Sequence, residues 1–223
     1  MKKIMLLTLI ALLVVAVSAF YIGNWGEAGT IITGENASGD LSGDNGEEFE
    51  TAVFGGGCFW SIDAIFSQVI GTVEVKAGYA GGFVEDPTYE EVLRGDTGHA
   101  EVVRVVFDPE IISYDQLLEI YFSIHDPTTL NRQGDDVGEQ YRSVILFTNP
   151  GQEAKANDFI AKLETAGVHA GPVVTEVQGL EKFYLAEEYH QQYYENNPGN
   201  LYCALVVSPK VEQFQEEFKD FLK

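Results

Sequence analysis

The stretch "TAVFGGGCFWSIDAIFSQVIG", residues 51–71 of this 223-residue chain, sets the fold of the region around it. Residues 51–54 are suited to a strand and run directly into three glycines. After Cys58, apolar residues recur at the spacing of one helical face, and Gly71 ends the pattern: Phe59, Ile62, Ile65, Phe66 and Val69. The stretch therefore predicts a strand, a glycine turn and a helix, with Cys58 at the junction.

Strand and helix signals alternate through the rest of the folded part. Residues 72–82 and the valine-rich residues 99–109 predict strands, as do residues 141–148 and 171–178. Predicted helices follow the capping residues Ser113 and Asn149, and further helices are predicted at 86–95, 186–197 and 211–223. Two strand–helix–strand units predict an α+β fold, a ferredoxin-like two-layer sandwich of helices on a mixed sheet.

The N-terminal region differs from this domain in composition. Lys2 and Lys3 precede an uncharged apolar run from Ile4 to Ile22, which is close to the roughly 20 residues of a membrane-spanning helix. Residues 1–23 are therefore interpreted as a signal anchor or a cleaved signal peptide. Residues 24–48, rich in Gly, Ser and acidic side chains, predict a flexible tether, and residues 49–223 form the domain. Both interpretations of residues 1–23 place the domain outside the cytoplasm, either anchored to the membrane or secreted.

The charge of the chain disfavours partners that carry a high negative charge. The formal net charge is −22, which makes nucleic acid or an anionic membrane surface an unfavourable partner.

The chain has two cysteines, Cys58 and Cys203, which can be interpreted in two ways. An extracytoplasmic domain with two cysteines most often joins them as a structural disulfide. Cys58, however, follows three glycines at a predicted helix start, where unpaired N–H groups and the helix dipole stabilise a thiolate. This position favours a reactive cysteine with a lowered pKa.

Two further features support a reactive site. Phe59 and Trp60 point about 100° apart on a helix, so both cannot enter one core, and Trp60 is a candidate apolar wall for a small substrate group. Glu101 begins an apolar strand two residues after His99. If it is buried, its pKa is raised and it is a candidate proton donor; the alternative is an edge carboxylate that faces water. The four histidines are scattered without a ligand-spaced pair, so no metal site is predicted.

The motifs resemble those of the A-type peptide methionine sulfoxide reductases. The likeness extends from about Thr51 to Pro209 and follows the order of the family's motifs: "GGCFW", "GYAGG", "PTYEEV", "GDTGHAE", "VFDP", "HDPT", "RQGDD", "QYRS", "HQQYY" and a late cysteine. The resemblance implies reduction of the S epimer of methionine sulfoxide, in proteins and as the free amino acid. It implies no cofactor, and we expect a monomer.

The resemblance also implies roles for individual residues. Cys58 matches the nucleophile that attacks the sulfoxide sulfur, and Glu101 matches the acid that protonates the departing oxygen. Tyr89 and Tyr141 match the tyrosines that hold this oxygen. Cys203 matches the recycling cysteine, which implies a Cys58–Cys203 disulfide after the Cys58 sulfenic acid and a thioredoxin-like reductant to reopen it.

The implied substrate pocket consists of Phe59 and Trp60, the aromatic wall for the S-methyl group, and Asp136. Two positions depart from the family pattern: Ser61 and Asp63 replace a glycine and a Glu. Asp63, expected in the first helical turn, would stabilise the helix start but raise the pKa of the Cys58 thiol.

Three other interpretations were weighed. The first two are a peroxidase and a disulfide exchanger, the latter disfavoured because no Cys-x-x-Cys motif is present. The third is a binding module that carries a structural disulfide. His190 matches a family position but is predicted to be structural.

Overall fold

The computed structural model describes residues 48–223. Its strands are β1 Glu50–Gly55, β2 Thr72–Ala80, β3 Ala100–Phe107, β4 Arg132–Gln133, β5 Asp136–Val137, β6 Val144–Phe147, β7 Glu176–Gly179 and β8 Phe183–Leu185. Six of them form one mixed sheet in the order β7-β6-β1-β3-β2-β8, and β4 and β5 form a separate hairpin. Within the main sheet the β6–β7 pair is parallel and the other pairs are antiparallel.

The helices lie between and after these strands. They are α1 Phe59–Phe66, α2 Tyr89–Arg94, α3 Tyr114–Ser123, α4 Pro150–Ala166, α5 Tyr193–Asn196 and α6 Ser208–Glu217. Shorter turns of 3-10 helix occur at Glu139–Tyr141, Glu188–His190 and Lys219–Phe221, and a turn of π-helix spans Cys203–Val207. The predicted α+β class is confirmed.

Local capping explains why several of these helices begin and end where the sequence predicts. The Ser113 hydroxyl accepts a hydrogen bond from the Gln116 backbone N–H, and the Gln116 side-chain oxygen accepts one from the Ser113 backbone N–H. Asn149 caps the start of α4, and Gly167 ends it in the left-handed conformation at φ 61°.

The core lies mainly on the sheet face that α1 and α3 cover. Phe54 of β1 is fully buried and stacks on Phe66 of α1 at 5.4 Å and on Tyr121 of α3 at 4.9 Å between ring centroids. The predicted apolar face of the first helix, from Phe59 to Val69, is buried in this cluster. Packing of α1 on the sheet therefore fixes the position of the helix start at Cys58.

Two segments differ from the sequence prediction. Residues 186–197, predicted as one helix, form a 3-10 turn and the four-residue α5, because Gln192 between them adopts a left-handed conformation with φ 50°. The buried Asp63 carboxylate accepts a hydrogen bond of 2.9 Å from the Gln192 backbone N–H, which stabilises this conformation. The segment between α3 and β6, for which the sequence predicts no element, contains the β4–β5 hairpin.

The predicted signal anchor or signal peptide at residues 1–23 lies outside the described residues, as does the predicted tether up to residue 47. Across residues 48–223, none of the helices combines the length and the apolar character that crossing a bilayer demands.

Candidate active site

The three glycines form the turn between β1 and α1 that places Cys58. Gly57 has φ 98°, in the region that favours glycine, and a Cβ atom there would lie 2.8 Å from Cβ of Gln133. A Cβ atom on Gly55 would lie 2.9 Å from the Glu101 carbonyl oxygen. The glycines therefore allow the chain to turn and bring β1 close to the backbone of Glu101.

Cys58 is the residue immediately before α1, and its side chain is almost enclosed, with 8% of the residue exposed. The Trp60 backbone N–H and the Tyr202 hydroxyl act on its sulfur and lower the pKa of the thiol. Burial outweighs them and raises this pKa well above its ordinary value, and the carboxylates of Glu101 and Asp136 raise it further. The predicted lowering of this pKa is therefore wrong for the resting protein, because loss of solvent outweighs the helix start.

Glu101 is the buried acid that the sequence suggests rather than an edge carboxylate. It is the second residue of β3 and is 1% exposed. Its Oε2 atom accepts a hydrogen bond of 3.0 Å from the Phe59 backbone N–H, next to Cys58. Burial raises the pKa of Glu101 to about 8, with the Asp136 carboxylate contributing, whereas the bonds from Phe59 and Cys58 lower it. Glu101 therefore carries its proton at neutral pH.

Tyr89 and Tyr141 come from separate parts of the chain, and both phenols interact electrostatically with Glu101. Tyr89 is the first residue of α2, and Tyr141 ends a 3-10 turn. Burial is the main cause that raises the pKa of each phenol, and nearby Glu101 and Cys58 contribute to both shifts. Both hydroxyl groups consequently stay protonated and can donate hydrogen bonds.

Phe59 and Trp60 have different surroundings, as expected for neighbouring residues on a helix. Phe59 is fully buried in the core, and Trp60 is only partly buried at its edge. The indole ring stacks on Tyr193 at 3.7 Å with an interplanar angle of 7°. Its Nε1–H donates a hydrogen bond of 3.1 Å to Nδ1 of His190. Trp60 therefore presents a fixed aromatic surface beside Cys58.

Tyr202 belongs to this site, although it is not among the site residues predicted from the sequence. Its hydroxyl donates a hydrogen bond of 2.7 Å to Asp136 Oδ2 and also interacts with the sulfur of Cys58. Its ring meets Trp60 edge-on at 5.7 Å. The only sequence signal was its position next to Cys203 in "NLYC". Tyr202 links the Asp136 carboxylate, the aromatic wall and the sulfur.

Cys203 is a free and buried thiol in the π-helical turn that follows Tyr202. Its backbone N–H donates to Asn200 Oδ1 at 3.1 Å, and burial raises the pKa of its thiol. Both cysteines belong to the same buried cluster. The C-terminal segment thus brings the Cys203 turn to the side of the molecule that holds Cys58.

The two departures from the family pattern lie in α1, behind the site. Asp63 is not in the first turn of α1, contrary to expectation, and its carboxylate accepts hydrogen bonds from the Gln192 N–H at 2.9 Å and the Ser67 hydroxyl at 3.3 Å. Burial raises the pKa of Asp63 to about 7, with Glu195 contributing. The Ser61 hydroxyl is buried and has no hydrogen-bond partner within residues 48–223.

Among residues 48–223, no group of three or more His, Cys, Asp or Glu side chains is arranged to hold a metal ion.

Known proteins resemble this chain over most of its described length. Residues 50–222 match the family model for peptide methionine sulfoxide reductase. Peptide methionine sulfoxide reductase MsrA of Natronomonas pharaonis is 50% identical over 170 residues, which cover 76% of this chain and 96% of that protein. The protein of the same name from Nautilia profundicola is 55% identical over 163 residues, covering 73% and 92% of the two chains.

Two solved structures are similar as well. Methionine sulfoxide reductase A of Corynebacterium diphtheriae aligns with a TM-score of 0.63 and 36% identity, covering 73% of this chain and 78% of that one. Mxr1 from Saccharomyces cerevisiae in reduced form aligns with a TM-score of 0.64 and 31% identity, covering 70% and 89%. With a matching family model over residues 50–222 and relatives at about half identity, the chain belongs to the peptide methionine sulfoxide reductase family.

Proposed function

We propose that this peptide methionine sulfoxide reductase reduces the S epimer of methionine sulfoxide, in proteins and as the free amino acid, with Cys58 as nucleophile and Glu101 as acid. The observation that carries the proposal is the protonated Glu101 carboxyl group, held next to Cys58 by the bond from the Phe59 N–H. A sulfoxide oxygen must gain a proton to leave, and a carboxylic acid with a pKa of about 8 can supply one at neutral pH.

In the first step the Cys58 sulfur attacks the electrophilic sulfoxide sulfur. The attack forms an S–S bond, and the protonated oxygen then passes to the Cys58 sulfur. The S–O bond of the substrate and the transient S–S bond both break, so that Cys58 is left as a sulfenic acid and methionine leaves. The sulfoxide is reduced by two electrons and Cys58 is oxidised by two. Glu101 gives its proton to the oxygen and regains one from the Cys58 thiol, so the proton count balances.

The protonated hydroxyl groups of Tyr89 and Tyr141 hold the sulfoxide oxygen during this step. They come from different elements, and the electrostatic interaction of each phenol with Glu101 and Cys58 supports this role. Phe59 and Trp60 receive the S-methyl group, and Asp136, with its bond from Tyr202, completes the polar side of the pocket.

Recycling of the enzyme uses Cys203. Its thiol condenses with the Cys58 sulfenic acid, which forms the Cys58–Cys203 disulfide and releases water. A thioredoxin-like dithiol then reduces this bond and becomes oxidised itself. Cys203 is a free thiol, and the hydroxyl of the preceding residue, Tyr202, interacts with the Cys58 sulfur. Both observations support the pairing.

The same proposal includes the setting of the enzyme. The strand order β6-β1-β3-β2 with the helices α1 and α3 in the crossovers supports a ferredoxin-like two-layer sandwich. The apolar run at residues 4–22 supports an extracytoplasmic domain, anchored to the membrane or secreted after cleavage of a signal peptide, with residues 24–48 as its tether. The net charge of −22 supports a protein that does not bind nucleic acid, and we propose that it acts as a monomer.

One assay tests the chemistry. The full-length chain is incubated with dithiothreitol and either epimer of acetylated methionine sulfoxide, and methionine formation is followed by chromatography. We expect turnover of the S epimer alone, and none in Cys58→Ser. Turnover of hydrogen peroxide without turnover of sulfoxide would identify a peroxidase and contradict the proposal. Sulfoxide reduction by Cys58→Ser would exclude Cys58 as the nucleophile.

A further inference from the structure

His190 is enclosed by the aromatic side chains that line the proposed pocket. It ends the 3-10 turn Glu188–His190 and is 1% exposed. Its ring centroid lies 4.3 Å from that of Tyr89, 5.0 Å from that of Phe59 and 5.8 Å from that of Trp60. One imidazole thus contacts three residues to which we assign roles in binding or catalysis.

The hydrogen bond between Trp60 and His190 determines which imidazole nitrogen carries the proton. An indole N–H can only donate, so Nδ1 of His190, at 3.1 Å from Trp60 Nε1, must accept. A neutral imidazole with an accepting Nδ1 carries its proton on Nε2. Burial also lowers the pKa of His190, which favours the neutral ring.

The second nitrogen is not used for a comparable bond. Nε2 is buried without a hydrogen-bond partner among residues 48–223. The nearest acidic oxygen, Glu187 Oε2, is 4.0 Å away and already accepts a bond of 2.8 Å from the Tyr79 hydroxyl. A buried polar atom without a partner carries a free-energy cost in the folded protein. A ring that served only to fill space would avoid this cost if it were phenylalanine, so the Nδ1 acceptor is the distinctive contribution of histidine here.

The bond to His190 restricts a movement of Trp60 that the stack on Tyr193 leaves open. The stack on Tyr193 at 3.7 Å restricts movement of the indole perpendicular to its plane, but a flat ring can slide or rotate within that plane. The directional bond to Nδ1 opposes such rotation. Trp60 is therefore held both by its face and by its edge.

We propose that His190 is a positioning residue for the reductase: its neutral imidazole, protonated on Nε2, accepts the Trp60 indole N–H through Nδ1 and so holds the wall that receives the substrate S-methyl group. This inference rests on the proposed function for the identity of the substrate, but the bond itself is a property of the free protein. His190 does not touch the reacting atoms and acts through Trp60.

Three substitutions separate the acceptor from the ring. His190→Phe keeps an aromatic ring but removes the acceptor. His190→Asn places an amide oxygen near the original Nδ1 position, and His190→Gln places its amide near the original Nε2 position. Each is made in the full-length chain with Trp25→Phe, which leaves Trp60 as the single tryptophan because the sequence has two.

The readouts are the fluorescence of Trp60 and steady-state kinetics with dithiothreitol and the S epimer of acetylated methionine sulfoxide. In His190→Phe we expect a red-shifted emission, because the freed indole N–H binds water, and a KM raised about tenfold, the effect of losing one hydrogen bond. The kcat should change less than KM. His190→Asn should recover most of both effects, and His190→Gln should not.

Two results would overturn the proposal: wild-type emission and KM in His190→Phe, or no recovery in His190→Asn relative to His190→Gln. If His190→Phe does not fold, the comparison of the Asn and Gln variants still decides. Nitrogen NMR of the wild-type imidazole provides a test without substrate, and a proton on Nδ1 would refute the bond. Absence of sulfoxide turnover in the parent protein would instead contradict the proposed function and leave the spectroscopic test in force.

Discussion

Replacement of Glu101 by glutamine tests the central chemical step. Glutamine has nearly the same shape and can still accept the bond that Phe59 N–H donates to Glu101 Oε2 at 3.0 Å, so α1 and Cys58 should remain in place. The amide cannot transfer a proton to the sulfoxide oxygen. A positioned acid typically contributes a factor of about 10² to 10⁴ in rate. We therefore expect Glu101→Gln to slow formation of the Cys58 sulfenic acid by a factor in this range.

The environment of Glu101 determines what fraction of its side chains is protonated at neutral pH. An ordinary glutamate, with a pKa of 4.5, is protonated in about one of 300 molecules at pH 7. With a pKa of about 8, about nine in ten Glu101 side chains hold their proton at this pH. Burial of the carboxyl group thus increases the acid form about 300-fold.

The pH dependence follows from the sign of this shift. The acid form of Glu101 is lost as the pH rises through about 8, so the single-turnover rate of the wild type should fall there. The Cys58 thiol has a pKa raised well above its ordinary value, so its ionisation does not explain a fall in this range. Because the two groups interact, the inflexion belongs to the pair rather than to one residue.

The assay measures methionine formed in one turnover by rapid quench between pH 6 and pH 9.5. Alkylation of Cys58 in the unfolded protein serves as the control that the thiol is intact in Glu101→Gln. A wild-type rate that stays constant to pH 9.5, or a Glu101→Gln rate within threefold of the wild type, would refute the assignment of Glu101 as the acid.

Three further substitutions have expected outcomes. Burial raises the pKa of Asp63 from 3.8 to about 7, so the protonated side chain that suits the folded state is lost as the pH rises through 7. Asp63→Asn should therefore leave the free energy of unfolding unchanged at pH 4 and increase it by up to about 4 kcal/mol at pH 8. Urea unfolding at the two pH values measures both effects. Gly57→Ala places a Cβ atom on a backbone with φ 98° and against Gln133. It should reduce the free energy of unfolding by about 1–3 kcal/mol and lower kcat/KM by displacing Cys58. Unchanged melting and activity would show that the turn tolerates a side chain. Cys203→Ser should complete one stoichiometric round of reduction but not cycle with thioredoxin, and continued cycling would exclude Cys203 from recycling.

Local signals made much of the fold predictable. Ser113 and Asn149 begin helices, Gly167 ends one, and each acts through groups within a few residues along the chain. The segment 186–197 was predicted incorrectly for the opposite reason. Its division depends on Gln192, whose conformation is stabilised by a carboxylate 129 positions earlier in the chain. Pattern and propensity do not contain such a distant contact.

The residues of the candidate site also form two groups, those that the local sequence indicates and those that depend on distant contacts. Cys58 and Glu101 have unusual local settings, a thiol after glycines and a carboxylate in an apolar strand, and therefore they could be selected from sequence. Tyr202 and His190 are ordinary aromatic residues in a polar segment. Their importance arises from partners elsewhere in the chain, Asp136 and Trp60 respectively.

The protonation state of Cys58 is the clearest case in which burial reversed a local argument. A helix start favours a thiolate, yet the sulfur and the Glu101 carboxyl group share one nearly dry site, and a negative charge on either raises the pKa of the other. A neutral thiol beside a neutral acid avoids this repulsion. It also suits a reaction in which one proton moves from sulfur to oxygen and none is consumed overall. Ionisation of Cys58 is then coupled to transfer of the Glu101 proton, so we expect alkylation of the free enzyme to be slow at neutral pH. Fast modification of Cys58 by iodoacetamide at pH 7 in the absence of sulfoxide would contradict this coupling.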